Sequence, residues 1–312
     1  MGTVRAILVM AATLSIVAGP AGARPRHDHA HRHRPEPARP TAIVSAFPPE
    51  FDALKATIKV RAAGTSRGVA WVTGTLGGRP VVLMMSGVSM VNAAMNTQWL
   101  IDRFHVSRIV FSGIAGGVDP SLDIGDVVVP DAWAQPFEVV LARRAGDSFQ
   151  PPEWVSRRLD IPAYGMMFPR AVSMGGTDAG AGHDTFPANP ALLAVARTVA
   201  ARERLKACAA PDMCLDHTPR IVVGGTGVST PAFVDNTEYR QYLAATFHAR
   251  VTDMETAAVA QVAYANGVPF IGFRSLSDLA GGDAGVNRMR VFMRLASVNS
   301  ATVVAAFVKA LP

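Results

Sequence analysis

Apolar strand-like runs alternate with helical ones from Thr41 to the C-terminus, and this alternation predicts an α/β fold around a largely buried sheet. Two further observations agree. The 312 residues suffice for one large domain. Apolar residues make up 49% of them and charged residues 17%, enough for a sizeable core and far from the composition of a disordered chain. Runs of apolar and β-branched residues place strands at 42–46, 69–75 and 80–85, and amphipathic spacing places a helix over 91–104. Strands follow at 108–113 and 126–130. The stretch 137–219 breaks the pattern: it is rich in Pro, Gly and Arg, and it reads as an insertion carrying a helix at 189–207 and both cysteines. Beyond it the alternation resumes, with strands at 220–225, 251–254 and 269–274 and helices at 255–266 and 290–311. No internal repeat is present.

The N-terminus has a different character. Arg5 precedes a largely apolar run from Ala6 to Val17, then Gly19-Pro20 and the small-residue triplet Ala21-Gly22-Ala23, which reads as a cleavable secretory signal over residues 1–23. At about a dozen residues the run is shorter than the ~20 that a membrane span needs. No later stretch reads as a span, so the cleaved chain is not expected to insert into a membrane. Residues 24–40, rich in Pro, Arg and His, read as a disordered linker. Its alternating His27, His29, His31 and His33 suit a soluble tail better than a metal site, and no metal or cofactor is expected. The chain is therefore placed in the periplasm or outside the cell. In that setting Cys208 and Cys214, the only cysteines, favour a local disulfide loop over a thiol nucleophile, for which no paired histidine is evident.

Charge excludes one class of partner. Residues 1–40 hold six arginines against Asp28 and Glu36, a net +4 of the chain's +6, so the folded body is nearly neutral and has no basic stripe for nucleic acid. There is no GxGxxG and no GxxxxGK[ST], which argues against dinucleotide and triphosphate sites. What stands out instead is a set of polar or glycine-bearing segments just past strand ends, where open α/β sheets bind ligands: Ala46 to Glu50, Ser112 to Gly117, Thr252 to Glu255 and Arg274 to Asp278. Three acids, Glu50, Glu255 and Asp278, fall just past the predicted strand ends.

The order Ser86-Gly87-Val88, Gly113-Ile114-Ala115-Gly116-Gly117, Leu122 to Pro130, Asp253 to Ala258 and Val268 to Asp278 is similar to the nucleoside phosphorylase superfamily. Within it the chain resembles the 5'-methylthioadenosine/S-adenosylhomocysteine nucleosidases. It resembles still more closely their exported relatives grouped with bark and vegetative storage proteins, through Phe233-Val234-Asp235-Asn236 and Leu276 to Gly282; the cysteine pair recurs in that branch. The resemblance spans residues 41–312. It implies a single-domain, three-layer α/β fold with a central mixed twisted sheet, a homodimer, and cofactor-free hydrolysis of the N-ribosidic bond of a purine nucleoside.

Residue by residue, the resemblance implies that Asp278 is the general acid at purine N7, oriented by Ser277. Glu50 activates water with Arg274 as its partner. Glu255 grips the ribose hydroxyls above Met254, Phe233 stacks on the base, and the Val234 backbone reads its edge. Gly116 allows close approach of backbone to ligand, while Phe47 and Val88 fall at an apolar 5' pocket. Phosphate-binding arginines have no counterparts near Val88 or Ser112, which favours hydrolysis over phosphorolysis. Three departures matter. Ile114 replaces a serine near the catalytic water, Asp253 replaces a glutamate, and Pro48-Pro49 replaces an acidic run and is expected to stiffen a loop carrying Glu50. The alternatives are a nucleoside- or base-binding, storage-like protein without turnover, suggested by Ile114, and a phosphate-dependent phosphorylase.

Overall fold

A computed structural model describes residues 38–312 apart from 156, 159 and 176–181. The signal sequence assigned to 1–23, and all but the last three residues of the linker, lie outside the described residues.

The chain begins with β1 (Thr41–Ser45), α1 (Pro48–Lys55), β2 (Lys59–Ser66), β3 (Val69–Leu76), β4 (Arg79–Met85), α2 (Met90–Phe104) and β5 (Arg108–Gly117). The middle of the chain adds β6 (Val127–Val129), β7 (Ala132–Ala134), β8 (Phe186–Pro187) and α3 (Pro190–Ala200). It closes with β9 (Ile221–Val223), β10 (Thr226–Ser229), α4 (Thr237–Phe247), β11 (Ala249–Asp253), α5 (Thr256–Ala265), β12 (Phe270–Asp278) and α6 (Met289–Ala310). These strands form one mixed sheet. β5 is its hub: it pairs in parallel with β1 on one side and with β12 on the other, and its last residues pair antiparallel with β11. A meander of β4, β3 and β2 extends one edge, while β10, β7 and β8 continue beyond β11.

Both faces of the sheet are covered, so the central strands are apolar on both sides rather than alternately polar. In β1 and β4, Ala42, Val44, Val82 and Met84 join one buried cluster with Leu100 of α2 and Ala257 of α5. Ile43, Val81 and Leu83 point the other way, into a cluster with Leu54 of α1, Leu193 of α3 and Phe307 of α6. The result is three layers. Helix α6 is 22 residues long and its most apolar 18 residues have a mean hydropathy of 1.6, enough by length and composition to span a bilayer and contrary to the reading that no later stretch is. Its apolarity has a different cause: Leu295, Val304, Phe307 and Val308 are buried beneath the sheet.

Other expectations need correction. The glycines from Gly113 to Gly117 are not a turn after a strand; β5 runs through them. Pro48 and Pro49 do not stiffen a loop; they occupy the first two positions of α1, where no backbone donor is needed and the fixed φ suits a helix. Helix α3 stops at Ala200, short of residue 207, and the chain beyond it is held by Asn299, whose side chain bonds both backbone groups of Lys206. Strands β2, β7, β8 and β10 and helices α1 and α4 had no sequence assignment. Within 137–219, small two-stranded pieces such as Val139–Leu141 with Met167–Pro169 lie outside the central sheet, but β8 and α3 are part of the central body. Cys208 and Cys214 form a disulfide across a short hairpin.

The contact of Phe307 with Phe273, ring centroids 5.0 Å apart, joins α6 to β12 directly beneath the strand that carries Arg274 and Asp278. Phe307→Ala is expected to lower unfolding free energy by about 3–5 kcal/mol, read from the shift in a urea unfolding curve.

Candidate active site

The carboxyl ends of β1, β5, β11 and β12 converge on a cavity of about 280 Å³. Its wall includes Phe47, Glu50, Val88, Gly116, Phe233, Val234, Met254, Glu255, Ser277 and Asp278, so ten of the eleven residues assigned from sequence to catalysis or substrate binding meet there. The eleventh, Arg274, lies behind the wall.

Arg274 organises the acids. It is buried in β12, with its guanidinium stacked 4.3 Å from the centre of the Phe111 ring. Nε donates to Thr256 Oγ1 at 2.8 Å and Nη1 to the Ile114 carbonyl at 3.0 Å. Nη2 pairs with Asp253 Oδ2 at 2.6 Å and with Glu255 Oε2 at 3.5 Å, and Nη1 stands 3.8 Å from Glu50 Oε1. One cation thus serves three buried carboxylates.

Glu50 projects from the first turn of α1, where its Oε2 accepts from the Ala46 N–H at 2.7 Å and its Oε1 from the Ile114 N–H at 2.8 Å. Burial raises its pKa, with Arg274 and these N–H groups opposing. Glu255 sits just before α5 and accepts from the Ser89 N–H at 2.7 Å. Burial raises its carboxyl to about 7; Arg274 opposes this, and the charges of Asp253 and Glu50 add to it. Asp278, at the end of β12, accepts on Oδ1 from the Ala280 N–H at 2.9 Å and on Oδ2 from Ser277 Oγ at 2.9 Å. Burial again raises its pKa, and its hydrogen-bond donors are all neutral.

Several participants were not assigned a role from sequence. Asp253 accepts from the hydroxyls of Ser229 and Thr256 and anchors Arg274, which makes it a positioning group at the start of α5. Ser89 adopts φ 80°, ψ 154°, a region that essentially only glycine occupies, and its N–H reaches Glu255. Gly113 leaves no room for a side chain, since a Cβ there would overlap Arg274 Nη1 and Glu50 Oε1. Only the Ser-Gly-Val-Ser and Gly-Ile-Ala-Gly-Gly runs hinted at these two positions. Ile114 lines the cavity and lends both backbone groups to the site, one to Glu50 and one to Arg274. No Lys, Arg or His is among the described residues lining the cavity, which gives an anion such as phosphate no cationic partner on its wall. Among the described residues there is also no group of His, Cys, Asp and Glu able to hold a metal.

Comparison with known proteins gives this geometry a context. Residues 40–309 match the family model of the phosphorylase superfamily. A 5'-methylthioadenosine/S-adenosylhomocysteine nucleosidase of Anoxybacillus flavithermus is 30% identical over 265 residues, covering 84% of this chain and 95% of the relative. That of Halalkalibacterium halodurans is 30% identical over 266 residues, covering 85% and 96%. Among solved structures, the nucleosidase of the same name from Neisseria meningitidis, in complex with methylthio-immucillin-A, superposes with a TM-score of 0.66 at 24% identity, covering 88% of this chain and 100% of that one. The Colwellia psychrerythraea nucleosidase in complex with adenine gives 0.64 at 25% identity, covering 88% and 96%. The chain therefore belongs to the phosphorylase superfamily and, within it, to the family of 5'-methylthioadenosine/S-adenosylhomocysteine nucleosidases.

Two outcomes follow from the geometry. Gly113→Ala must displace Glu50 or Arg274, so the variant is expected to keep its far-UV circular dichroism and lose at least ~100-fold in turnover, as measured by base release. The second concerns pH. Folded Glu255 keeps its proton up to about pH 7, whereas an unfolded glutamate loses it near 4.5, so the folded state holds more protons between those values and stability falls as pH rises through that window. Thermal midpoints recorded from pH 4.5 to 8 are expected to decline, less steeply in Glu255→Gln; an unchanged slope in that variant contradicts the assignment.

Proposed function

We propose that this chain hydrolyses the N-ribosidic bond of 5'-methylthioadenosine, S-adenosylhomocysteine and related purine nucleosides, and releases the base. The observation that carries the reading is that Glu50, Glu255 and Asp278 line one cavity with no cationic side chain on its wall, in a chain of the nucleosidase family. In the proposed mechanism the base lies against Phe233 and the Val234 backbone, and Glu255 accepts hydrogen bonds from the ribose hydroxyls. Asp278 gives its proton to N7 as the bond from the sugar C1' to N9 breaks and its electron pair moves into the base. The sugar left behind has oxocarbenium character, which the carboxylate of Glu255 stabilises. A water attacks C1' and yields its proton to Glu50, whose carboxylate retains lone pairs beyond those used by the Ala46 and Ile114 N–H groups. The raised pKa of Glu50 brings the base nearer the operating pH, and that of Asp278 keeps a proton available for transfer.

We further propose that the protein is exported, to the periplasm or outside the cell, and acts as a homodimer. The apolar run at 6–17 and the Cys208–Cys214 disulfide support export, because disulfides persist in oxidising compartments. Exposed Val91 and Met95 on α2, next to Val88 at the cavity wall, support an apolar subunit contact there. The test of the function is adenine release from methylthioadenosine by the purified protein, with and without phosphate, beside Asp278→Asn. The expected result is release independent of phosphate that falls by roughly 10²–10⁴ in the variant. A rate that requires phosphate overturns hydrolysis, and equal rates in the two proteins overturn the acid.

A further inference from the structure

Beyond these residues, one side chain ties the acid to the base-binding segment. Asn287 precedes α6, and its Nδ2 donates to Asp278 Oδ1 at 3.3 Å and to Asp235 Oδ1 at 3.0 Å. Its own Oδ1 accepts from the Met289 N–H at 2.9 Å, in the first turn of α6. This fixes the amide orientation. A flipped amide would set NH₂ against the Met289 N–H and an oxygen against two carboxylates, whereas as placed each hydrogen of the amide nitrogen has its own acceptor. Asp235 follows Phe233 and Val234, the proposed base contacts, and Met289 lines the cavity, so one amide joins the base-side segment, the acid and the start of α6.

We propose that Asn287 is a positioning residue that holds Asp278 and confines its transferable proton to Oδ2, with Asp235 fixing Asn287 in turn. The inference rests on the nucleosidase reading above. Oδ1 of Asp278 accepts two N–H donors, from Ala280 and Asn287, and an oxygen so engaged has no place for a proton of its own. Among the described residues Oδ2 bonds only Ser277 Oγ, which has a second acceptor in the Ala115 carbonyl at 3.4 Å. When Asp278 is protonated on Oδ2, the serine hydroxyl turns to that carbonyl and leaves Oδ2 to donate. The charged groups around the acid are Asp235 across the shared amide and Asp283 in the following loop, which raises its pKa further; Arg240 lies against Gly282 at the far side of that loop. None of them supplies the donor that Asn287 supplies.

The test uses Asn287→Ala, Asp235→Ala and the double variant. Asn287→Ala removes one donor to the carboxylate, so kcat is expected to fall about tenfold, with KM little changed, and the high-pH limb of the kcat profile to move upward. Asp235→Ala gives a smaller loss in the same direction. The double variant loses no more than Asn287→Ala alone, because Asp235 acts only through the amide. Carbon-13 NMR titration of the Asp278 carboxyl reads the same effect without turnover, as a midpoint raised by about one pH unit in Asn287→Ala. Thermal melts identify a variant that has simply lost its fold. An unmoved Asp278 titration in folded Asn287→Ala, or additive losses in the double variant, overturns the proposal. A moved titration in a protein that releases no base from any nucleoside leaves the tether standing and overturns the nucleosidase reading instead.

Discussion

The site depends on a buried guanidinium that has more carboxylates than it can neutralise. Among the described residues Arg274 alone pairs with Glu50, Asp253 and Glu255, all shielded from water, so full ionisation of the three would leave two negative charges unmatched by it in a low-dielectric region. The molecule resolves this unequally. Asp253 takes the shortest contact with Arg274, together with two hydroxyl donors and the N–H groups of Glu255 and Thr256. Glu255 and Glu50 stand farther from the cation, and burial pushes both upward in pKa. The cluster therefore holds one carboxylate that anchors the cation and two whose pKa burial raises.

Holding that cluster is a task for the sheet. β1, β5 and β12 run parallel, which brings Ala46, Gly113 with Ile114, and Arg274 to one end of adjacent strands. Gly113 then allows the guanidinium and the Glu50 carboxylate to meet across the backbone of β5. A register shift between Leu276 and Asp278 interrupts the pairing of β12 with β5, and past it both Ser277 and Asp278 reach the cavity, where strict alternation would send one of them away. The meander at the far edge and the α1, α3 and α6 layer carry none of the cavity's acids except Glu50. Their contribution is to keep strands that are apolar on both faces out of water.

How much of this the sequence disclosed varies with the range of the interaction. The acids past strand ends were visible because a strand run followed by Asp or Glu is a local pattern, and resemblance supplied their proposed roles. Glu50's helix was not visible, because the Pro-Pro pair that opens α1 also reads as loop. The β5 glycines read as a turn for the opposite reason: their strand conformation is imposed by neighbouring β12 and β11, a tertiary effect that outweighs local preference. Helix α4, with only Tyr239 and Leu243 fully buried, lacks the apolar face that periodicity detects, although Asn236 caps it through the Tyr239 N–H. The Ser89 N–H was only hinted at by the Ser-Gly-Val-Ser run, and Asn287 in a glycine-rich run had no signal at all. Their importance lies in what stands opposite them in space.

The same contrast separates the proposed acid from the proposed base. Among the described residues no cation pairs with Asp278; its partners are a hydroxyl, a backbone N–H and an amide, and burial dominates its pKa. Glu50 and Glu255 are buried as deeply but share Arg274, whose charge lowers the cost of their ionised forms. Two environments a few residues apart on β12 thus treat chemically alike carboxyls differently: burial raises the pKa of all three, and Arg274 opposes that rise at Glu50 and Glu255 but not at Asp278. Ile114 leaves that division intact, because it contributes to Glu50 and Arg274 through its backbone and not its side chain.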